Sequence, residues 1–328
     1  MEKSDLPDYL TRWISKELSS LGYSLHRPKE LAPLILEVSD HFISPTKSTT
    51  PWEDRPSRAA YLSYFFPLNY LRCRKVVQEG LRTGFFSNLS SSYDFGCGPG
   101  PLSLAIKDVL SPKRWNYLGT DQSMKAIEYF LKWPDFKKAP DSFQWNKNSL
   151  LTFSYSLNEL TSLPSFFYQA ENILIIEPST KWHSQNLIEH REILISKGYS
   201  IWAPCLHQKQ CPLKQHKKDW CHFKTPWHMP MWFQKILEQL PMKNQVLGYS
   251  YLLASRRLAP EQNGYRIIGD PRKEKGKTRW LMCHPEERVF ASLLKREGSL
   301  NIQRGDIVEM KDYEKKGNEM RIQLKGDV

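Results

Sequence analysis

The chain has 328 residues, 40% of them hydrophobic and 12% aromatic, enough for a large core and incompatible with wholesale disorder. Lys and Arg outnumber Asp and Glu by 47 to 35, and the formal charge of +12 favours a polyanionic partner such as nucleic acid. No apolar run is long enough to cross a bilayer, so no membrane partner is expected. The N-terminus carries Glu2 and Asp5 and no apolar h-region, so it reads as neither a secretory signal nor an Arg-rich transit peptide. A reducing, cytoplasmic setting is therefore expected, with six cysteines serving as thiols or metal ligands rather than disulfides.

Residues 1–45 carry two helical patterns, Leu10, Trp13, Ile14, Leu18 and Leu21, then more loosely Leu31, Leu34, Leu36 and Val38. A polar stretch with Pro45, Pro51 and Pro56 marks a connection. Residues 59–81 are helical again, interrupted at Pro67, with an aromatic stripe expected mainly in the core; Tyr61 and Tyr64 are candidates to line a ligand. From Ser91 strands and helices alternate, with strands expected at 91–95, 116–120, 142–145, 150–154, 173–177 and 199–203 and a late one at 247–255. That pattern predicts an α/β class, a methyltransferase-type, Rossmann-like doubly wound sheet. Beyond Ser255, short strands at 265–268, 279–283, 306–310 and 320–324 predict a small β-rich unit with little core of its own. The expected domains are a helical region 1–85, a cofactor-binding domain 86–255 with a Cys-rich insertion 203–230, and the β-rich unit 256–328. Arg272, Lys273, Lys275 and Lys277 form either a basic finger for phosphates or a solvated hairpin, and residues 325–328 read as a tail.

Tyr93-Asp94-Phe95-Gly96-Cys97-Gly98-Pro99-Gly100 reads as a strand end, a tight turn and a helix start. Glycines let the backbone approach a ligand closely, and the helix N-terminus offers amides and a positive dipole end. Asp94 would repel a pyrophosphate and suit a cationic amino-acid ligand. Asp121, ending the next strand, is placed to accept ribose hydroxyls. The G-x-G-x-G spacing differs from the G-x-G-x-x-G of nicotinamide enzymes and favours S-adenosylmethionine. In an open sheet the site lies beyond the strand ends, which adds Asn146, Ser154 to Ser156 and Glu177 to Thr180. The candidate cofactor residues are thus Asp94, Gly96, Gly98, Gly100, Asp121 and Ser154.

Four of the six cysteines, Cys205, Cys211, Cys221 and Cys283, fall beside Pro, His or Trp in loop-like surroundings. Their spacings lack paired C-x2-C knuckles; soft thiolates gathered from a loop and a remote strand suit an iron–sulfur cubane, with zinc as the alternative. His207, His222 and His284 are possible substitutes. Lys209, Lys214, Lys217 and Lys218 alternate with Trp220, Phe223 and Trp227, a mixture that can meet both phosphates and unstacked bases.

Asp94 to Gly100, Glu177-Pro178-Ser179-Thr180, Ala203-Pro204-Cys205 through Cys211-Pro212-Leu213, and Asp219-Trp220-Cys221-His222-Phe223 together resemble a known family. It is the methyltransferase-like assembly factors of the mitochondrial small ribosomal subunit and their bacterial relatives. The resemblance runs from about Tyr61 to Cys283. It implies S-adenosylmethionine binding, contact with small-subunit rRNA, and a [4Fe–4S] cluster on Cys205, Cys211, Cys221 and Cys283. The lack of a targeting segment points to a bacterial-type member, and a monomer is favoured. Ser154-Tyr155-Ser156-Leu157 stands where amine methyltransferases carry an N/D-P-P-Y/F tetrad, leaving Tyr155 and Glu159 as weak catalytic candidates. A binding factor is therefore preferred to an active rRNA methyltransferase with a structural zinc or iron–sulfur site. A nicotinamide oxidoreductase is a distant third.

Overall fold

The computed structural model describes residues 4–43, 49–112, 114–214, 216, 218–242, 244–285, 288–310, 312–317 and 319–323. Lys217 and the expected tail 325–328 lie outside them. The chain divides into two compact units, Met1–Glu177 with Thr225–Gly248, and Pro178–Lys224 with Tyr249–Val328.

In the first unit, α1 (Asp8–Ser20) and α2 (Pro28–Ile43) precede α3 (Arg55–Ala60), a π-turn at Tyr61–Phe65 and α4 (Phe66–Arg82). Leu10, Ile14 and Leu18 recur every four residues on α1 and are fully buried, each contributing about 1.5–3 kcal/mol of hydrophobic stabilisation. The α2 stripe is Leu31, Ile35 and Val38, so the buried face turns slightly from the one expected with Leu34 and Leu36. Pro67 lies in the first turn of α4, where its missing N–H costs nothing; the break before it is the π-turn.

The central strands of this unit's sheet are β1 (Ser91–Phe95), β2 (Asn116–Thr120), β3 (Phe136–Lys138), β4 (Ser149–Ser154) and β5 (Asn172–Glu177). All are parallel, in the spatial order β3-β2-β1-β4-β5. α5 (Pro101–Leu110) crosses from β1 towards β2, and α6 (Met124–Phe130) follows β2. The order reverses between β1 and β4, which places the switch point beside the glycine turn. This is the methyltransferase-like α/β arrangement. Residues 142–145 are not a strand: Phe143 and Trp145 mimic strand alternation because both rings pack on Tyr93, at 5.2 and 5.5 Å.

The second unit holds α7 (Lys181–Ser196) and Ser200–Ala203, which pairs antiparallel with the end of Val246–Ser255. Its separate sheet runs Ile307–Val308, Tyr265–Ile267, Lys277–Cys283, Arg288–Leu294, Glu319–Ile322, Tyr313–Lys316. The central strand Arg288–Leu294 was not anticipated; its apolar run Val289–Leu294 lacks clean alternation. The expectation of little core is overturned. Ile267, Trp280, Met282, Val289, Ala291, Leu293, Met320 and Ile322 form a buried cluster. The basic stretch is a hairpin, not a free finger: Glu274 donates its N–H to the Lys277 carbonyl at 2.9 Å, and Lys277 pairs with Glu319 at 2.8 Å.

Candidate functional site

The Gly96 and Cys97 amides both donate to the Thr120 carbonyl at the end of β2, at 2.8 and 3.0 Å, so the turn after β1 is clamped to its neighbouring strand. Gly96 has φ 67°, and a Cβ there would fall 2.5 Å from the Ser156 Cβ. Gly100, at φ 83°, faces the Phe130 ring, which a Cβ would meet at 2.8 Å. The Ser156 hydroxyl donates to the Phe95 carbonyl at 2.6 Å, drawing the loop after β4 against the turn. The space at Gly98 is walled by Trp52 and Tyr61, whose rings pack at 4.6 Å.

Four acids line or brace this region. Asp94 is buried and accepts from Ser103 and Thr152, each at 2.9 Å, so it ties β1 to α5 and β4 rather than facing an open space. Burial lifts its carboxyl to about 6 despite those two bonds. Asp121 accepts from the Gly98 and Ser123 amides, both at 3.0 Å, and so fixes the turn while its pKa is raised by burial. Glu159 is pushed up to about 8 by burial and then by Asp121. Glu177, at the end of β5, is also raised to about 8 by burial, against hydrogen bonds from the Asn158 and Leu157 amides. A cluster of carboxyls held near neutrality gains from a cationic ligand, as its charge lowers the cost of ionising them. Ser154 contacts the buried Cys73 thiol at 3.3 Å, and Tyr155, at φ 61°, lies under the Arg72 guanidinium at 5.9 Å.

In the second unit the four cysteines gather. Cys211 is pushed up to about 11 by burial and then by Cys205; Cys221 and Cys283 are raised by burial and by the other members of the set. Cys211, Cys221 and Cys283 pack around Leu213, Ile268 and Leu281, with the His207 Nε2 at 3.7 Å from the Cys283 sulfur. The cysteine loop is organised by Arg191 of α7, which is 2% exposed. Its Nε donates to the Cys205 sulfur at 3.2 Å, its Nη2 to the His207 and Lys209 carbonyls at 2.9 and 2.8 Å, and its Nη1 to Glu192 at 2.5 Å. Glu192 in turn accepts the Cys211 amide at 3.0 Å. Arg266, also buried, donates to the Pro204 carbonyl at 3.0 Å. Among the described residues, no three His, Cys, Asp or Glu side chains form a group that could hold a metal ion.

Residues 58–304, more than half of the chain, match the family described as mitochondrial small ribosomal subunit Rsm22. The chain belongs to the Rsm22 family. The match spans the glycine turn and all four clustered cysteines, and it bears out the resemblance drawn from the motifs. No curated protein matches the chain. Solved structures resemble it weakly. A candidate RNA methyltransferase of Pyrococcus horikoshii is 11% identical, with 70% of this chain and 98% of that one covered and a TM-score of 0.30. The magnesium protoporphyrin IX methyltransferase of Synechocystis PCC 6803, with bound SAM, is 16% identical over 59% and 85%, at 0.32. A SAM-dependent methyltransferase of Archaeoglobus fulgidus is 13% identical over 56% and 94%, at 0.29.

In this Rsm22-family chain the structure brings Gly96, Gly98, Gly100, Asp121 and Glu159 to one region, with Ser154 and Tyr155 at the adjoining strand end. Trp52, Arg72 and Arg191 escaped sequence reading. Trp52 sits in a proline-rich connection with no periodicity, and Arg191 occupies an ordinary position in a polar helix. Of the three aromatics near the cysteines, Phe223 and Trp227 are buried in or beside the Phe223–His228 strand, which leaves Trp220 alone in a pocket wall.

Proposed function

We propose that this protein binds S-adenosylmethionine over the glycine turn, carries a [4Fe–4S] cluster on Cys205, Cys211, Cys221 and Cys283, and serves the small ribosomal subunit by binding its rRNA, without transferring a methyl group. The family match over both sites carries the reading. The net charge of +12 supports an RNA partner. Support for the cofactor comes from the turn's geometry and from carboxyls suited to a sulfonium cation. Support for the cluster is the gathering of Cys205, Cys211, Cys221 and Cys283 within electrostatic reach of each other in one unit, four soft donors of the kind such a cluster takes. Arg191 and Arg266 oppose the negative charge that such thiolates carry. When bound, the cluster would tie the Cys205–Cys221 loop to the Lys277–Cys283 strand and add oxygen sensitivity.

The proposed setting is the cytoplasm, with the protein acting as a monomer. Anaerobic purification tests the cluster: a brown protein whose broad absorption bleaches in air is expected, and a colourless one with stoichiometric zinc would overturn it. One observation favours a second reading, methyl transfer to rRNA: Tyr155 holds a left-handed backbone at the strand end where the tetrad would stand. Mass spectrometry of small-subunit rRNA from cells with and without the gene decides between them. The binding-factor reading expects identical modification profiles; loss of one methyl mark would establish the enzyme.

A further inference from the structure

The second unit contains a hollow of about 330 Å³ whose walls include Lys218, Asp219, Trp220, His222, Asp270, Arg272 and Arg304. Its size suits one small planar ligand rather than a helix or a strand. The floor is rigid. Arg304 donates to the Ile268 carbonyl, to the His222 carbonyl at 3.3 Å and to Asp270 at 3.0 Å, and Asp270 also pairs with Lys224 at 2.5 Å. Trp220 is fixed by its indole N–H, which donates to the Ser179 carbonyl at 2.8 Å, and its ring stacks on His222 with centroids 5.2 Å apart. The aromatic pair is thus held in place before any ligand arrives.

Lys218 and Arg272 stand exposed at the wall, Arg272 with its guanidinium 5.3 Å over Phe290. Asp219 pairs with Arg288 and, with Asp270, lines the hollow with carboxylates. Both acids are already paired with cations, so the hollow is not closed to anions, but a bare anion would leave the aromatic pair unused and a purely apolar ligand would leave the charged groups unused. An aromatic platform, cations and carboxylate acceptors together match one ligand class. An unstacked nucleobase lies flat on the rings, its exocyclic amine donates to a carboxylate, and its phosphate meets Lys218 and Arg272.

We infer that this hollow seats a single unpaired RNA nucleotide, its base against the Trp220–His222 pair. The inference rests on the rRNA-binding reading above and names the place where that RNA is gripped. The test uses the full-length anaerobic protein and a fluorescein-labelled single-stranded RNA oligonucleotide of mixed sequence, read by fluorescence anisotropy. Trp220→Ala should weaken binding about tenfold or more, Trp220→Phe should keep most of the affinity, and an abasic oligonucleotide should bind wild type as weakly as the full oligonucleotide binds Trp220→Ala. Should Trp220→Ala fail to fold, the abasic comparison and Arg272→Ala, at an exposed position, carry the same test. Equal affinity for the abasic and complete oligonucleotides, or unchanged binding by Trp220→Ala, would overturn the pocket and leave the RNA reading standing. Wild-type protein that binds neither this probe nor small-subunit rRNA would remove both.

Discussion

The glycine turn and the cysteine cluster are held together in different ways. At the turn, backbone does most of the positioning: amides of Gly96 and Cys97 close on the Thr120 carbonyl, and Asp121 closes on the Gly98 amide. At the cysteines, regular structure supplies one thiol, Cys283 at the end of its strand, while Cys205, Cys211 and Cys221 lie outside helices and strands. Their loop is shaped by the side chain of Arg191, which reaches two carbonyls, a sulfur and a carboxylate at once. A backbone-built site is preorganised for its ligand. A side-chain-built one depends on a few buried polar contacts and is stiffened by what it binds.

The comparison breaks most readily at Arg191. Replacing it with Met removes the cation beside Glu192 and the donor to the part-buried His207 and Lys209 carbonyls. The expected cost is about 3–5 kcal/mol, read by chemical denaturation, together with faster bleaching of the anaerobic protein in air. Unchanged stability would show that the loop is held by something else. Cys205→Ser is expected to abolish the brown colour and lower Tm by roughly 5 °C, the shift that a few kcal/mol produces in a chain of this size. Retained colour would remove Cys205 from the ligand set.

At the turn, Gly96→Ala sharpens the contrast, because a Cβ must displace Ser156 and adopt φ 67°. A loss of about 1–3 kcal/mol is expected, together with loss of S-adenosylmethionine binding in calorimetry. A variant as stable and as avid as wild type would mean the turn tolerates a side chain. The smallest effect concerns pH. Glu177 keeps its proton up to about 8 in the fold, against 4.5 when exposed. The folded state therefore binds more protons than the unfolded state between those values, and Glu177 makes stability fall as pH rises through that window. Glu177→Gln should flatten this slope in denaturation series from acid to mildly alkaline pH, and an unaltered slope would contradict the assignment.

Legibility in the sequence follows the same division. β1, β2, β4 and β5 were placed within a residue of their observed bounds: β4 and β5 as short apolar runs of buried parallel strands, and the more polar β1 and β2 through the glycine turn and Asp121 that follow them. The glycine turn was readable because positive φ and close backbone approach restrict the residue type. Asp94 was legible as part of the motif but not in its role, since only coordinates reveal that Ser103 and Thr152 occupy both carboxylate oxygens. The false strand at 142–145 arose because alternating aromatics serve packing on Tyr93 as well as they serve a pleat. Arg191 left no signal at all: a buried arginine and a solvated one are the same letter, and what distinguishes them is the distant loop folded over its guanidinium.

The central claim is that the turn at Gly96 to Gly100 holds an adenosyl sulfonium ligand with Asp121 beside it. Isothermal titration of the anaerobic full-length protein with S-adenosylmethionine, and with its demethylated product, tests this most directly. Saturable one-site heat is expected for wild type and about tenfold or greater weakening in Asp121→Ala, which also loses about 1–3 kcal/mol of stability through the Gly98 and Ser123 amides it leaves unpartnered. No heat with either compound, or full affinity in Asp121→Ala, would contradict it.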